Sequence, residues 1–184
     1  KHITLEPEVF VSCISTIIRR VDSMRKMVDE FSAFARMPAP IYKKANLTNL
    51  VKDLGSISLL SNEKINIDIR VPKKSIYAII DEGQIRQALQ NIISNAINSI
   101  SERKNDKSNK NELIIELKNL KDNNYTILVK DSGIGLPLSI LEDLTDPYVT
   151  TRKNGTGLGL AIVKKIMEDH NGELVLDNLK NNTG

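Results

Sequence analysis

The chain of 184 residues contains 40% hydrophobic and 27% charged residues, which suits one globular domain of ordinary size plus a modest additional element. Its net charge of +3 is spread along the sequence, and it has no Trp; both features argue against binding to nucleic acid, and the low charge also argues against an anionic membrane surface. A single cysteine, Cys13, excludes an intramolecular disulfide and fits a reducing compartment. No apolar run approaches the roughly 20 residues that cross a membrane.

Residues 8–36 predict one long amphipathic helix, because they contain neither Gly nor Pro and their apolar residues recur at alternating steps of four and three. The apolar stripe consists of Phe10, Ile14, Ile17, Val21, Met24, Val28, Phe31 and Ala35. A stripe this narrow and sustained favours a partner helix in a bundle or coiled coil. The alternative is a helix folded back on its own domain. Pro38 and Pro40 end the helix, and a linker follows.

The rest of the chain alternates between helical and strand-like patterns. A second helix is predicted after its N-cap Asn46, with an inward face of Leu47, Leu50, Val51 and Leu54. The later elements are, in order, strands over 64–71 and 75–80, a helix capped by Asp81 and ending near Ser101, strands over 112–119 and 124–131 joined by a turn at 121–123, a helix over about 157–170, and a last strand over 173–178. This order predicts an α+β fold, a two-layer α/β sandwich in which helices cover one face of a mixed sheet.

The helix that follows Asp81 carries a row of amide side chains opposite its apolar face. The row consists of Gln84, Gln87, Asn91, Asn95 and Asn98. Asn is a mediocre helix former, and a merely solvated face would normally use Glu and Lys. A magnesium ion bound to a nucleotide takes most of its ligands from phosphates and water, so one or two amide oxygens suffice to complete its site. A plain polar face is the alternative.

Two glycine-containing motifs follow. Asp131 begins a D-S-G-I-G motif at a strand end, where its carboxylate suits the exocyclic amine of adenine and would repel the carbonyl of guanine. Gly133 and Gly135 leave room for a ring against the backbone, although a tight turn is the alternative. The G-T-G-L-G-L motif over 155–160 opens a helix, where free N–H groups and the helix dipole favour anions. Its spacing matches neither the dinucleotide fingerprint nor a P-loop.

The segment 136–156 between these motifs has the features of a mobile lid. It is flanked by glycines, it is long for a connection, and it carries polar and basic residues near the expected phosphate end. Those residues are Thr150, Thr151, Arg152 and Lys153. An ordinary exposed loop is the alternative for the basic pair.

Together these segments resemble a known family. Four motifs are similar, in this order, to the N, G1, F and G2 boxes of sensor histidine kinases in the GHKL ATP-binding superfamily: N-I-I-S-N-A (91–96), D-S-G-I-G (131–135), D-P-Y-V-T-T-R (146–152) and G-T-G-L-G-L (155–160). The segment V-D-E-F-S-A-F-A-R-M-P-A-P (28–40) resembles the end of the second dimerisation helix in the NtrY-like, nitrogen-regulation group. The resemblance covers residues 8–184 and implies the Bergerat ATP-binding fold.

The resemblance implies a site for ATP and Mg²⁺. The ATP-binding residues would be Asn91, Asn95, Asn98, Asp131, Gly133, Ile134, Gly135, Tyr148, Thr150, Thr151, Arg152, Lys153, Gly155, Thr156, Gly157, Leu158, Gly159 and Leu160. Asn95 would be the magnesium ligand and Asp131 the adenine-binding carboxylate. Asn98 stands where many relatives have a Lys.

Asn91, Thr151 and Arg152 would be the catalytic residues at the phosphates. Family members that hydrolyse ATP carry a water-activating Glu at the position of Asn91. Because an amide cannot take a proton at neutral pH, this domain is expected to hold ATP without hydrolysing it.

The resemblance also implies how the chain is organised. Residues 1–37 would be the C-terminal helix of a dimerisation and phosphotransfer module, 38–45 a linker, and 46–184 the catalytic domain. Family members phosphorylate a histidine on the first dimerisation helix. Neither His2, which lacks the acidic neighbour of that motif, nor His170, at a helix end, is expected to be that acceptor. We therefore expect the chain, which begins with Lys, to be a piece of a longer protein.

The implied function is transfer of the ATP γ-phosphoryl group to that histidine, for relay to an Asp of a response regulator receiver domain. The expected partners are that receiver domain, the protein's own first dimerisation helix and a second copy in a homodimer. We expect this piece to be cytoplasmic and without membrane contact, and the whole protein to be anchored in the inner membrane. The alternatives are another GHKL ATPase, a serine-directed kinase of the anti-sigma type, or a degenerate nucleotide-binding regulator.

Overall fold

The structure, a computed structural model, describes residues 7–61, 64–103, 111–120, 124–152 and 155–178. The helices and strands are α1 (Pro7–Ala35), β1 (Lys43–Asn46), α2 (Leu47–Ser61), β2 (Asn66–Arg70), β3 (Tyr77–Ile80), α3 (Glu82–Glu102), β4 (Glu112–Asn119), β5 (Tyr125–Asp131) and α4 (Gly159–Asp169). Two short 3-10 turns, Leu138–Ile140 and Asp143–Thr145, lie between β5 and α4.

The strands form a mixed three-stranded sheet and a small two-stranded one. In the larger sheet β4 is central, parallel to β2 and antiparallel to β5. The register places Leu113 opposite both Ile67 and Asp131, so the last residue of β5 lies beside the start of β4. In the smaller sheet β1 pairs antiparallel with β3.

The core lies between the larger sheet and the helices α2, α3 and α4. Along β4, buried Leu113, Ile115 and Leu117 alternate with half-buried residues, so one face of the sheet is covered. The opposing helical residues with almost no exposure are Leu50, Val51, Val163 and Ile166. This arrangement confirms the predicted α+β sandwich.

Local capping explains where α2 and α3 begin. Asn46 Oδ1 accepts a hydrogen bond from the Asn49 N–H (3.1 Å), and Asp81 Oδ1 accepts one from the Gln84 N–H (3.1 Å). These side chains satisfy N–H groups that have no partner within the helix. Both predicted caps are therefore confirmed.

The apolar stripe of α1 is exposed along most of the helix. Phe10, Ile17 and Met24 are each more than half exposed, so the helix is not folded back onto the domain over this length. Only at the end of α1 and just beyond it do Phe34 and Met37 pack against the core. The partner helix that would cover the stripe stays a prediction.

Three predicted segments differ from the structure or lie outside its described residues. The end of the predicted linker forms strand β1, because the backbone of 43–46 pairs with β3 and buries Ala45. The predicted strand over 173–178 is wrong: this segment has no regular structure, and among the described residues no backbone ladder reaches it. Instead the Asn178 side chain bonds to the N–H and C=O of Leu136, at 2.7 and 2.8 Å. The predicted turn at 121–123 lies outside the described residues.

Candidate functional site

Most residues expected to bind ATP line one cavity beside α3. The middle of α3, the end of β5 and the segment leading into α4 bring them together. The lining includes Asn91, Asn95, Asn98, Asp131, Gly133, Ile134, Gly135, Thr150, Thr151, Arg152, Gly155, Thr156, Gly157, Gly159 and Leu160. Leu158 is instead a fully buried core residue, and Tyr148 is exposed but does not line the cavity. Lys153 lies outside the described residues.

The amide row of α3 divides into two functions. Gln87, Asn91, Asn95 and Asn98 line the cavity. Gln84 is buried, and its Nε2 donates to the carbonyl of Pro38 (2.9 Å), so this side chain fastens the segment that follows α1. The row therefore begins as a structural contact and continues as the floor of the cavity.

Asn91 and Asn95 contact the segments that face them across the cavity. Asn91 Nδ2 donates to the carbonyl of Gly159 (3.2 Å), which joins α3 to the start of α4. Arg152 donates from Nη1 to Asn95 Oδ1 and from Nη2 to the Asn95 carbonyl, both at 2.9 Å. Arg152 Nε also lies 3.2 Å from Glu102 Oε1. The lid arginine is thus held on the amide expected to bind magnesium.

Asp131 is placed by the turn that follows β5. Its Oδ1 accepts a hydrogen bond from the Gly133 N–H (2.9 Å), which fixes the carboxylate at the cavity edge. Arg103 donates from Nη1 to the Ser132 carbonyl and from Nη2 to Asn111 Oδ1 (2.9 Å). The C-terminal end of α3 therefore supports the turn that carries Asp131.

The glycines meet two different backbone requirements. A Cβ on Gly133 would lie 2.1 Å from Ser99 Oγ, so this glycine is needed for close approach to α3, rather than for the ring contact expected from the sequence. Gly157 has φ +69°, and its Cβ would lie 2.5 Å from the Tyr148 carbonyl carbon. The Tyr148 N–H donates to the Gly157 carbonyl (3.0 Å), which ties the lid to the glycine motif.

The end of α1 touches the same glycine motif. Thr156 Oγ1 donates to Glu30 Oε2, and the ring of Phe31 stacks on Tyr148 with centroids 6.4 Å apart. These contacts join the long helix directly to the segment leading into α4. The position of α1 and the shape of the phosphate end of the cavity are therefore linked.

The start of α4 offers backbone N–H groups to the cavity. The N-cap residue Leu158 provides no side-chain cap, and its own N–H donates to Thr156 Oγ1 at 3.4 Å. The free N–H groups and the positive end of the helix dipole make such a start a site for phosphate. The glycines on both sides keep the approach open.

Asp81, outside the cavity, fastens the linker to the catalytic part of the chain. Its Oδ2 accepts a hydrogen bond from the Ile41 N–H (2.8 Å), and its own N–H donates to His170 Nε2 (3.0 Å). The hydrogen bonds from Ile41 and then Gln84 lower the pKa of Asp81 below its ordinary value of 3.8. Because His170 Nε2 accepts, its proton lies on Nδ1, which bonds the Ile166 carbonyl (2.8 Å). His170 is thus structural.

The donor set of the cavity fits a magnesium ion that arrives with a nucleotide. The described residues contain no group of three or more His, Cys, Asp or Glu side chains that could hold a metal by themselves. Asn95 Oδ1 offers one neutral oxygen beside the start of α4, where phosphates are expected, and this suits an ion whose other ligands are phosphates and water.

Two positioning residues were missed in the sequence. Glu102 continues the amide row at a step of four from Asn98, so the helical spacing that identified the row could have found it. Arg103, next in sequence, supports the turn after β5. The contact of Glu30 with Thr156 joins residues far apart in the chain, and no local pattern signals it.

A family model described as histidine kinase-, DNA gyrase B-, and HSP90-like ATPase matches residues 80–183. It spans α3, both glycine motifs and α4, the elements that build the cavity. The chain belongs to this family, whose nucleotide is ATP.

Within the family the chain is similar to NtrY and to putative sensor histidine kinases described as NtrY-like, one of them from Rickettsia felis at 37% identity. It is 36% identical over its whole length to nitrogen regulation protein NtrY of Azorhizobium caulinodans, of which it covers 24%. It thus spans about a quarter of the length of the curated relatives it matches. The NtrY-like assignment is confirmed for the catalytic region.

Solved histidine kinases share the fold. The catalytic domain of histidine kinase ThkA is 25% identical, with a TM-score of 0.61 over 70% of this chain and 81% of that one. ThkA in complex with response regulator protein TrrA gives a TM-score of 0.74 at 22% identity, over 97% of this chain and 50% of that one. In the described part of our chain, no helix has the length and apolar character needed to cross a membrane.

Proposed function

We propose that this chain is the ATP-binding catalytic part of a sensor histidine kinase, which transfers the γ-phosphoryl group of ATP to a histidine on a first dimerisation helix. The observation that carries the proposal is the convergence of Asn91, Asn95, Asp131 and the start of α4 on one cavity. The cavity would supply a carboxylate for the adenine ring, neutral oxygens for a metal ion and N–H groups for phosphates. Several of its relatives are named as putative sensor histidine kinases, which supports the same function.

Asp131 would select adenine. Its Oδ1 is held by the Gly133 N–H, so the carboxylate is fixed before a base arrives. A carboxylate only accepts hydrogen bonds, so it pairs with the exocyclic amine of adenine and repels the carbonyl oxygen of guanine. Gly135 and the exposed Ile134 would line the face of the ring.

The phosphates would lie between the start of α4 and the lid. The backbone of 155–160 would bind them, and Thr150, Thr151, Arg152 and Lys153 would close over them. Asn95 would hold the magnesium ion through Oδ1, and the ion would neutralise charge that develops on the phosphates. Asn91 would orient the phosphates from one helical turn away.

The absence of a base at Asn91 favours kinase chemistry over hydrolysis. A histidine acceptor brings its own lone pair, so it needs positioning rather than deprotonation. Water would need a base, which the Asn91 amide does not provide. The alternatives of a GHKL ATPase, an anti-sigma-type kinase and a degenerate regulator are not favoured by the relatives, several of which are named as NtrY-like sensor histidine kinases.

The partners follow from the same proposal. The exposed stripe of α1 would pack on the first dimerisation helix, which carries the acceptor histidine, within a homodimer. A response regulator receiver domain would take the phosphoryl group; histidine kinase ThkA forms a complex with response regulator protein TrrA. The proposed division at 1–37, 38–45 and 46–184 places the linker between these functions. The cytoplasmic location of this chain and the inner-membrane anchor of the whole protein belong to the same proposal.

The test is nucleotide selectivity of the Asp131→Asn variant. Asn keeps one oxygen for the Gly133 N–H, so the turn is preserved, but its amide NH₂ replaces the acceptor that faces adenine. Loss of a charge-assisted hydrogen bond should weaken Mg·ATP binding by about 1.5–3 kcal/mol, roughly ten- to hundredfold. Isothermal titration of both chains with ATP and with GTP measures this loss of affinity and the nucleotide selectivity.

The matched control is Asp53→Asn, a change at an exposed position of α2, which should leave both affinities unchanged. Equal affinity of the unaltered chain for ATP and GTP would remove the base-selecting role of Asp131. Failure to bind either nucleotide would overturn the proposed function.

A further inference from the structure

We propose that Glu102 is a positioning residue that holds Arg152 on the magnesium-binding oxygen of Asn95, so that cation and arginine compete for one atom. We call Asn95, Arg152 and Glu102 the Arg152 cluster. The inference rests on the proposed function, because that function assigns Asn95 Oδ1 to magnesium.

The contacts fix the guanidinium in one orientation. Nη1 and Nη2 donate to the two Asn95 oxygens at 2.9 Å, and Nε lies 3.2 Å from Glu102 Oε1. All three nitrogens are therefore engaged, in a fork geometry that only Arg provides. The Arg152 side chain is 27% exposed and that of Glu102 is 42% exposed, so the cluster lies at the cavity rim rather than in free solvent.

Magnesium and the Arg152 guanidinium would meet at the same amide oxygen. Magnesium binds oxygen at about 2.1 Å, which would place it beside the Nη1 that already occupies Asn95 Oδ1. The two positive charges would repel at this distance. Magnesium binding at Asn95 would therefore favour departure of Arg152, and Glu102 would oppose that departure.

Once released, the Arg152 side chain would find a new partner in a phosphate of the nucleotide. The Gly155 N–H donates to the Arg152 carbonyl (3.1 Å), so the arginine is carried next to the glycine motif that would bind phosphates. A guanidinium that leaves an amide and a carboxylate would gain a phosphate, which it binds in the same forked manner. The cluster thus couples cation entry to placement of Arg152 on the nucleotide.

The Glu102→Gln variant separates this role from simple support of the lid. If Glu102 only stabilises the lid, its loss should weaken nucleotide binding. If it holds Arg152 against the cation, its loss should tighten Mg·ADP binding by up to about fivefold, the limit for a partly exposed ion pair. ADP binding in EDTA should stay unchanged in that case.

Isothermal titration of the full chain with ADP, with Mg²⁺ and with EDTA, gives these affinities. Glu116→Gln, which removes a carboxylate 3.1 Å from Lys118 on β4, is the matched control and should match the unaltered chain. A second measurement is the NMR signal of the Arg152 Nε–H, which should shift on adding Mg·ADP, and in Glu102→Gln before any ligand is added.

No ADP binding by the unaltered chain would contradict the proposed function itself. ADP binding with Mg·ADP affinity equal or weaker in Glu102→Gln would overturn the role of Glu102 while leaving the proposed function in place. An Arg152 signal that does not move on adding Mg·ADP would also overturn it.

Discussion

Replacing Asp81 with Ala removes two hydrogen-bond acceptors from the junction between the linker and α3. The N-cap bond to Gln84 contributes about 1 kcal/mol, and the bond from the Ile41 N–H about 0.5–1.5 kcal/mol. The free energy of unfolding should therefore fall by about 1.5–2.5 kcal/mol at neutral pH. Asp81→Asn keeps one oxygen for the cap and loses only the Ile41 bond, so it should cost about 0.5–1.5 kcal/mol.

The contribution of Asp81 to stability should depend on pH in a defined direction. The pKa of Asp81 is lowered in the folded chain, first by the Ile41 N–H and then by the Gln84 N–H. Its charge-dependent contribution is therefore complete above the ordinary value of 3.8 and is lost as pH falls through the lower folded pKa. Below that pKa the unaltered chain and Asp81→Asn should converge.

Urea unfolding measures the free energy, and hydrogen exchange at the Ile41 amide reports the linker bond directly. Asp53→Ala, at an exposed position of α2, is the control and should not be destabilised. Equal stability of Asp81→Ala and the unaltered chain at neutral pH would refute the argument, as would an unchanged exchange rate at Ile41.

Two further predictions concern nucleotide handling. Residues 136–156 should gain hydrogen-exchange protection with Mg·ADP, because their ordering contacts would be to phosphates; equal protection without nucleotide would contradict this. The chain alone should acquire no acid-labile phosphate from γ-labelled ATP, because both ring nitrogens of His170 are hydrogen-bonded and His2 lacks the acceptor motif, and its ATP hydrolysis should be slow. Label that disappears in His2→Ala would show that His2 is the acceptor.

Much of the fold follows from local signals. The caps Asn46 and Asp81 and the alternation along β4 depend on residues only a few positions apart, and the structure confirms each one. The motifs expected to bind ATP likewise combine residue types with short spacings. In the structure most of their residues line the cavity, although Leu158 packs in the core.

The features that sequence reasoning missed depend on partners distant in the chain. The residues of β1 are K-K-A-N, which have little strand character, and they form a strand because β3 supplies a backbone partner. The segment 173–178 shows the reverse case: its apolar run at 174–176 suits a strand, but among the described residues no strand pairs with it. The amide row predicted that Gln84 would face a ligand, but its Nε2 donates to the carbonyl of Pro38, 46 residues away.

The charge pattern along α3 explains how one helix serves these functions. Its 21 residues extend about 30 Å, with charged groups near the ends and neutral amides between them. Asp81 and Arg103 complement the helix dipole and fasten the linker at one end and the turn after β5 at the other. Carboxylates in place of Asn91 and Asn95 would attract magnesium without a nucleotide, whereas amides bind it only when phosphates supply the charge. Under the proposed function, a neutral floor would make metal binding conditional on ATP, and the ion pair of Glu102 with Arg152 would add a competing use for the one oxygen involved.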